Sequence, residues 1–315
     1  MALQPSPAVV RAAALLHLLA EHPTQAHTVS DLARLAGVPR ATCDSLLLGL
    51  AEAGLVGRDG ARRYTLGAAC IALGDAARAA NPALRAACVH AEALARVRSM
   101  VTAVTILAGD ETRVTNVFDF GPAVGLRARA GEFIALVPPF GASFVAWDDD
   151  AVDPWLARSE PPLKPAEMRR YRAALDAVRQ RGYSVTVATA RQPDLADALE
   201  RLAGEPDADE PRRRRDQAMR AMAHSDYLAA EVDGARTMRL TQVSAPVFDT
   251  EGDVAASIML LGPNHDVTAA DVAALGALVV GAADAATRDV GGVIRRTSED
   301  ASRGTTARPR GGRRS

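Results

Sequence analysis

The stretch from Ser30 to Leu66 reads SDLARLAGVPRATCDSLLLGLAEAGLVGRDGARRYTL, and it decides the fold of the first part of the chain. A short helical pattern meets a glycine-containing turn at 36–39, and a second helical pattern follows. Two short strand patterns then flank a charged glycine turn. Helix, tight turn, helix and β-hairpin in this order predict a winged helix-turn-helix, a shape that places one helix in the major groove of DNA.

The residues around this stretch predict where its helices begin, end and bury their apolar side chains. A preceding helix over 9–20 ends before Pro23 and is expected to bury Val9, Ala13, Leu16 and Leu19 or Ala20. Ser30 is expected to cap the next helix, because its hydroxyl accepts a free backbone N–H, and Leu32 and Leu35 are its expected core contacts. Pro39 opens the helix after the turn, Leu46, Leu47 and Leu50 have core spacing within it, and Gly54 ends it.

Length and charge limit the classes of protein that fit. A chain of 315 residues favours two domains of ordinary size. Hydrophobic residues make up 48% and aromatic residues only 4%, which is typical of a helix-rich globular core of small aliphatic side chains. A formal net charge of −1 lacks the overall basic excess of a non-specific nucleic-acid binder, so any DNA site must be local.

Cysteine and histidine usage gives no sign of a disulfide framework, a metal site or a cofactor. The three cysteines (Cys43, Cys70 and Cys88) lack CxxC spacing, and the six histidines are scattered. This usage fits a reducing cytoplasm. The N-terminus lacks a signal-peptide pattern, and no uncharged apolar run reaches about 18 residues. We therefore expect a cytoplasmic protein that does not cross a membrane.

The second part of the chain predicts a mixture of helices and antiparallel strands. A helix is predicted at 84–97, a hairpin at 101–108 and 112–120, a third strand at 124–130 and a helix start at 142–147. A helix at 165–181 that ends at Gly182, a strand at 183–189 and an acidic loop at 204–211 follow. Two strong strands at 239–249 and 254–261 lead to a closing helix at 267–287 with Thr268 as its N-cap.

Several motifs together resemble the IclR family of bacterial transcription regulators. They are PAVVRAAALLHLLAEHP at 7–23, SDLARLAGVPRAT at 30–42, LAEAGLV at 50–56 and RYTLG at 63–67. The resemblance is weaker in the C-terminal part, where SAPVFDTEG at 244–252 and LGP at 261–263 fall in the order of the family. It covers nearly the whole chain.

The resemblance implies an α+β protein with a winged helix-turn-helix at 1–66, a linker helix at 67–80 and a GAF-like effector-binding domain at 81–290 with an antiparallel sheet. Such proteins form homodimers or tetramers and change their affinity for operator DNA when a small molecule binds. The apolar face of the linker helix (Ala68, Ile71 and Ala72) fits a partner protomer or the protein's own core. A charged surface insertion is expected at about 191–224, and a disordered basic tail at 291–315.

Two groups of residues are expected to bind double-stranded operator DNA. Ser30, Arg40, Thr42 and Ser45 lie on the two helices of the motif, and Arg58, Arg62 and Arg63 lie on the wing. Arginine forks match guanine acceptors and phosphate oxygens. Loss of Arg62 or Arg63 is therefore expected to weaken binding to all sequences and to flatten its salt dependence. Asp44 and Ser45 stand where the family often has a basic or aromatic-polar pair, which predicts a different base preference or weak binding, because Asp44 repels phosphate.

The resemblance also implies a set of effector-binding residues. They are Phe140, Gly141, Ala142 and Ser143 in a loop and short helix, Gln242 and Ser244 on one late strand, and Met259 and Leu261 on the next. Met259 and Leu261 stand where the family often has small hydroxyl residues. This change predicts a larger, more apolar effector that Gln242, Ser143 or Ser244 orients. The alternative is that Met259 and Leu261 are core residues and the pocket is closed.

Two other classes of function stay open at this point. An enzyme could use the C-terminal α/β domain, although HExxH, GxSxG and phosphate-loop motifs are absent from the sequence. Its best nucleophile is Cys88 near His90, yet these two residues face different sides of a helix. The other alternative is a module whose helix-turn-helix binds protein. Loss of DNA binding in a folded Arg40→Ala, Arg62→Ala double variant favours the regulator over both.

Overall fold

The computed structural model describes residues 5–21, 23–121, 130–189, 197–198, 201, 209–232, 237–263 and 265–295. The described residues divide into two compact units: those up to Ala80 together with those within 197–214 form the first, and those from Asn81 onward outside that range form the second. The first unit comprises α1 (Pro7–Glu21), α2 (Val29–Leu35), α3 (Arg40–Glu52), β1 (Val56–Arg58), β2 (Tyr64–Leu66) and α4 (Ala68–Ala79). Strands β1 and β2 form an antiparallel hairpin, so the predicted winged helix-turn-helix is present.

The core of the first unit is built by side chains from α1, α2, α3, β1 and β2. Its fully buried members include Leu15 and Leu19 of α1, Leu32 of α2, Cys43 and Leu47 of α3 and Tyr64 of β2. The predicted face of α1 is wrong by part of a turn, because Leu15 lies at its centre and Val9 is 67% exposed. Leu35 was expected to be buried, but it is the last residue of α2 and is 41% exposed.

The cap of α2 differs from the prediction. Thr28, not Ser30, is the N-cap: its Oγ1 accepts a hydrogen bond from the Asp31 N–H at 3.3 Å. The Asp31 carboxylate accepts one from the Thr28 N–H at 3.1 Å, which completes a capping box. The bonds from Thr28 hold the pKa of Asp31 below its ordinary value. Ser30 lies inside the first turn of the helix and is exposed.

Glycines shape the end of α3 and the start of α4. Helix α3 begins after Pro39, which takes the N-cap position rather than the first turn, and it ends before Gly54, whose φ is +70°. Gly67 is required by close approach, since a Cβ there would lie 2.1 Å from the Gly54 carbonyl oxygen. No residue of α4 is buried, and Ile71 and Leu73 are 68% and 59% exposed. Helix α4 therefore contributes no buried side chain to the core of the first unit.

The second unit is built on a six-stranded antiparallel sheet in the order β5-β4-β3-β8-β7-β6. Its strands are β3 (Val101–Ala108), β4 (Glu111–Asp119), β5 (Phe133–Ala135), β6 (Ser184–Val187), β7 (Leu240–Phe248) and β8 (Val254–Leu261). Its helices are α5 (Pro82–Arg98), α6 (Ala142–Val145), α7 (Asp149–Ala157), α8 (Pro165–Arg181) and α10 (Ala269–Asp289), and it includes α9 (Asp209–Met222) from Arg215 onward. The α+β class is confirmed. The strand predicted at 124–130 lies, apart from Ala130, outside the described residues.

The two faces of this sheet differ because successive side chains in a strand point to opposite sides. Strand β6 reads SVTV, and Val185 joins the core that α5 and α10 build on one face. Val243 and Ala245 of β7 belong to the same core. Ser184 and Thr186 alternate with the valines of β6 and therefore lie on the opposite face of the sheet. There α6, α7 and α8 form a second apolar cluster around Trp155 and Tyr171.

The region predicted as an acidic loop and a surface insertion is partly helical and partly buried. Residues 209–222 form α9, in which Glu210 and Arg214 make an ion pair one turn apart on the exposed side. Met219 and Met222 are buried on the other side. The loop prediction is wrong from Asp209 onward, because the density of charges in the sequence obscured a short apolar stripe. The earlier part of that loop lies outside the described residues.

The closing helix and the start of the predicted tail are held by the body of the second unit. Thr268 caps α10 as predicted, with its Oγ1 accepting from the Asp271 N–H at 3.2 Å. Helix α10 is long and apolar enough to cross a membrane, but its buried Val272 and Val279 belong to the core, as expected of a core helix. The Val293 N–H donates to the Asp249 carbonyl, so the predicted disorder is wrong for 291–295.

A comparison of two hydroxyl residues tests the cap. Thr28→Ala is expected to lower the free energy of unfolding of the first unit by about 1 kcal/mol, because an N-terminal N–H of α2 loses its acceptor. Ser30→Ala, two residues away, removes no capping bond and should change it by less than about 0.5 kcal/mol. Urea unfolding followed by circular dichroism measures both. Equal losses in the two variants would contradict the cap assignment.

Candidate DNA-binding surface and ligand cavity

The exposed face of α3 carries some, but not all, of the predicted base-contacting side chains. Arg40 and Ser45 are exposed, whereas Thr42 is half-buried because it lies toward the side of the helix that meets the core. Leu48 is 55% exposed, and the sequence prediction gave it no role, since it named only Leu46, Leu47 and Leu50 as core residues of this helix. An exposed apolar side chain on such a helix suits the methyl group of thymine. Asp44 is exposed on the same helix.

The three wing arginines have different surroundings. Arg63 Nε donates to Asp59 Oδ2 at 2.9 Å, so its charge already has a partner. The guanidinium carbon of Arg58 lies 5.5 Å from the centroid of the Tyr64 ring, which anchors the side chain to the hairpin. Arg62 is exposed at the turn, with a φ of +61°. Of the three, Arg62 is thus the best placed to offer its full charge to a phosphate.

The turn of the wing is fixed by Asp59. Its Oδ1 accepts hydrogen bonds from the backbone N–H groups of Ala61 at 2.9 Å and of Arg63 at 2.8 Å. These bonds hold the pKa of Asp59 below its ordinary value, and the bond from the Arg63 backbone N–H has the largest effect. The carboxylate therefore stays charged and keeps the turn closed at neutral pH. Ser30, also predicted to meet DNA, is exposed on the first turn of α2.

A cavity of about 50 Å³ lies in the second unit, between the polar face of the sheet and α6. The structure brings together around it seven of the eight predicted effector residues: Phe140, Gly141, Ala142, Ser143, Gln242, Ser244 and Met259. Leu261 does not line it. Leu261 pairs with Gln242 across the strands and is buried beyond the end of the cavity.

Sequence reasoning missed part of the lining. Thr105, Thr112, Ile134, Pro139, Phe144, Ser184, Thr186 and Tyr227 also contribute. The alternation of hydroxyl residues and valines along β6 could have predicted Ser184 and Thr186. When the valines of a strand face the core, its hydroxyl residues face the other side. Tyr227 comes from the segment after α9, where no local pattern marked it. None of the described residues that line the cavity is charged.

The cavity contains a buried hydroxyl that the described residues leave without a partner. Ser244 is 3% exposed, and its Oγ has no hydrogen-bond partner among them. The neighbouring hydroxyl of Ser184 instead donates to the Ser244 carbonyl at 3.4 Å. A buried polar group without a partner costs free energy, and it is retained where a ligand or water supplies the bond. Ser244 is therefore the strongest candidate for a ligand contact.

The size of the cavity argues against one expectation. A cavity known to accommodate benzene has a volume of about 150 Å³. The present cavity, at about 50 Å³, has about one third of that volume. The larger effector inferred from Met259 and Leu261 exceeds this volume, and Tyr227 is among the residues that line the cavity. Met259 lines the cavity rather than the core, so the alternative that places both residues in a closed core holds only for Leu261.

The best nucleophile of the enzyme alternative is poorly suited to catalysis. Burial raises the pKa of the Cys88 thiol to about 11, so the thiol stays protonated at neutral pH. His90 Nε2 lies 2.7 Å from Asp289 Oδ2 on α10 rather than beside the sulfur. Within the described part of the chain, no group of three or more His, Cys, Asp and Glu side chains is placed to hold a metal.

Comparisons with known proteins agree with this geometry. Residues 8–60 match the model of the IclR helix-turn-helix domain. No curated protein matches the chain. An IclR transcriptional regulator from Alicyclobacillus acidocaldarius is 23% identical, with a TM-score of 0.62 and coverage of 91% of this chain and 100% of that one. A putative IclR regulator from Silicibacter sp. TM1040 is 20% identical, with a TM-score of 0.64 and coverages of 91% and 97%.

A third solved structure contains a ligand. It is an IclR homologue from Microbacterium hydrocarbonoxydans complexed with 4-hydroxybenzoate, 17% identical, with a TM-score of 0.58 and coverages of 90% and 98%. Residues 8–60 are thus an IclR-type helix-turn-helix domain, and the chain has the fold of IclR transcriptional regulators. The predicted resemblance is confirmed. The solved proteins that share its fold are IclR transcriptional regulators, and residues 8–60 match the helix-turn-helix domain of such regulators.

The surroundings of the wing arginines give a prediction about salt. Arg62→Gln is expected to make the slope of log K for DNA against log salt less negative by about 1, since one phosphate contact is lost. Arg63→Gln should change the slope less, because Asp59 already partners that charge. Fluorescence anisotropy titrations between low and moderate salt measure the slopes. Arg172→Gln, on α8 of the second unit, is the control, and a slope that Arg62→Gln leaves unchanged would rule out the contact.

The hydroxyl of Ser244 gives a second prediction. Ser244→Ala should leave the free energy of unfolding unchanged or raise it by up to about 1 kcal/mol, because an unpartnered buried group is removed. Ser257→Ala is the matched control, since the Ser257 hydroxyl donates to the Ala245 carbonyl at 3.2 Å and its loss should cost about 1 kcal/mol. Urea unfolding compares the two variants. A clear loss of stability in Ser244→Ala would show that its hydroxyl is already satisfied.

Proposed function

We propose that the protein is a one-component transcription regulator that binds operator DNA through residues 1–66 and responds to a small molecule bound by residues 81–290. The match of residues 8–60 to the IclR helix-turn-helix domain carries this proposal. The exposed Arg40 and Ser45 on α3 and the exposed Arg62 on the wing support it, because they place hydrogen-bonding and cationic groups on the surface that meets DNA. Phosphate contacts supply affinity, and the contacts of α3 supply sequence preference.

A homodimer or tetramer is the proposed assembly. The exposed Ile71 and Leu73 support it, because residues 67–80 then act as a linker helix whose apolar side chains meet a second protomer. A two-fold symmetric dimer presents two copies of α3 to two half-sites. The operator should therefore be a near-palindrome with half-sites one helical turn, or a multiple of it, apart. Its base preference should reflect the exposed Asp44, which accepts from the cytosine amino group.

The cavity of the second unit is the proposed effector site. The unpartnered Ser244 Oγ and the uncharged hydroxyls of Ser143 and Thr186 support a small ligand held by neutral hydrogen bonds. Phe140 and Met259 supply apolar contacts, so the ligand combines a polar group with an apolar one. The neighbour that binds 4-hydroxybenzoate supports a ligand in a protein of this fold. The three cysteines are free thiols, which fits the proposed cytoplasmic location.

The DNA-binding role is tested with DNA selected from a random pool by the wild-type protein. The Arg40→Ala, Arg62→Ala double variant is expected to lose at least about tenfold in affinity for the selected DNA, since it loses a base contact and a phosphate contact. Fluorescence anisotropy measures the affinity, and circular dichroism confirms the fold. Arg172→Ala is the control for a loss of charge elsewhere. Unchanged affinity in the folded double variant would favour the protein-binding module.

A further inference from the structure

Tyr227 closes one side of the cavity, and it is contributed by a segment that is distant in sequence from the rest of the lining. The residue is 5% exposed, and its ring centroid lies 5.8 Å from that of Phe140, which precedes α6. The Thr186 side chain on β6 acts on the Tyr227 phenol, lowering its pKa against the larger effect of burial. The Thr186 hydroxyl in turn donates to the Gln242 carbonyl at 3.4 Å. The ring therefore spans from the loop before α6 to the sheet.

The backbone that carries Tyr227 is fixed against strand β6. The Val187 N–H donates to the Tyr227 carbonyl at 2.9 Å, and the Ala229 N–H donates to the Val185 carbonyl at 2.9 Å. These bonds extend the sheet by a short bridge at Leu228. A side chain on such a segment has a defined position, unlike one on a loop without backbone bonds. The shape that Tyr227 gives to the cavity is thus a stable property of the fold.

Arg181, at the end of α8, holds the same segment from the other side. Its guanidinium donates to the carbonyls of Ala229 at 2.9 Å and Ala230 at 3.3 Å, and its Nε donates to the Tyr183 carbonyl at 2.6 Å.

Burial raises the pKa of the Tyr227 phenol to about 12, so the phenol is neutral at physiological pH. The side chain therefore presents an aromatic face and an uncharged hydroxyl to the cavity.

We infer that Tyr227 determines which ligands the protein accepts, because its ring limits the cavity to molecules smaller than benzene that carry a hydrogen-bonding group for Ser244. This inference rests on the proposed function of the cavity as an effector site. The ligand class is short-chain alcohols and amides, because no charged side chain among the described residues lines the cavity to pair with a carboxylate. Aromatic compounds such as the 4-hydroxybenzoate bound by the Microbacterium hydrocarbonoxydans homologue are excluded by the ring.

A purely structural role for Tyr227 predicts a different outcome. A tyrosine that only holds the segment on β6 would change stability when replaced, but it would leave the size preference of the cavity unchanged. Size preference is therefore the readout that separates the two roles. Benzamide is a suitable probe because it has one aromatic ring and a neutral hydrogen-bonding group.

Isothermal titration calorimetry of the full chain with benzamide tests the inference. Tyr227→Ala is expected to bind benzamide at least tenfold more tightly than the wild type, and Tyr227→Phe, which keeps the ring, should gain nothing. The Tyr227→Ala, Ser244→Leu double variant should lose this gain in benzamide affinity, because the leucine side chain refills the cavity. If Tyr227→Ala does not fold, Tyr227→Leu takes its place. Equal benzamide affinities of the wild type and the folded truncation, or a gain in Tyr227→Phe, would overturn the inference.

A thermal-shift panel with the wild type tests the ligand class. At least one of ethanol, 1-propanol, acetamide and propionamide should raise the melting temperature by about 2 °C or more at millimolar concentration. Tyr171→Phe is the control. The Tyr171 hydroxyl is buried and donates to the Ala223 carbonyl at 2.7 Å, but Tyr171 does not line the cavity. This variant should therefore respond to the same compounds as the wild type. No response to any of them would contradict the class. Neither outcome depends on DNA, so failure here is distinguishable from failure of the proposed regulatory function.

Discussion

The alternation of side chains along the strands of the second unit is the constraint on which its architecture and its candidate site both depend. Valine and alanine on one face of β6 and β7 meet α5 and α10 and form the larger core. The residues between them, Ser184, Thr186, Gln242 and Ser244, must then point the other way. A sheet face rich in hydroxyls is costly to bury unless its hydrogen bonds are met, and the cavity lies where one of them, at Ser244, is not. The same two-residue period thus produces both stability and a place for a ligand.

The first unit depends on short-range hydrogen bonds rather than on a large core. A capping box at Thr28 and Asp31 starts α2, and the Asp59 carboxylate closes the turn of the wing. Hydrogen bonds hold the pKa values of both acids below their ordinary value, so both stay charged to a lower pH than a free aspartate. The wing keeps its shape while the exposed Arg62 faces solvent. A rigid hairpin presents a cation to phosphate with little loss of conformational freedom, which favours binding through the wing.

Much of the fold could be predicted from local signals, and the exceptions have physical reasons. Gly54, Thr268 and the turn at 109–110 mark boundaries because their conformations depend on few neighbours. Seven of eight predicted residues meet at the cavity, since the order of the strands followed from the resemblance. Tyr227 could not be found in this way, because its position depends on pairing between the segment after α9 and β6. Thr28 was missed because three candidate hydroxyl and acidic residues lie within four positions, and only the backbone geometry selects one.

The proposed regulation requires that the ligand bind the DNA-free and DNA-bound forms with different affinity, since equal affinity shifts no equilibrium. The most direct measurement is the affinity of the full chain for its selected operator DNA, with and without a saturating compound that raises the melting temperature of the wild type. A regulator of the proposed kind changes its DNA affinity by about fivefold or more, in either direction, and loses the response in Ser244→Leu. A compound that saturates the cavity and leaves DNA affinity unchanged would contradict the coupling.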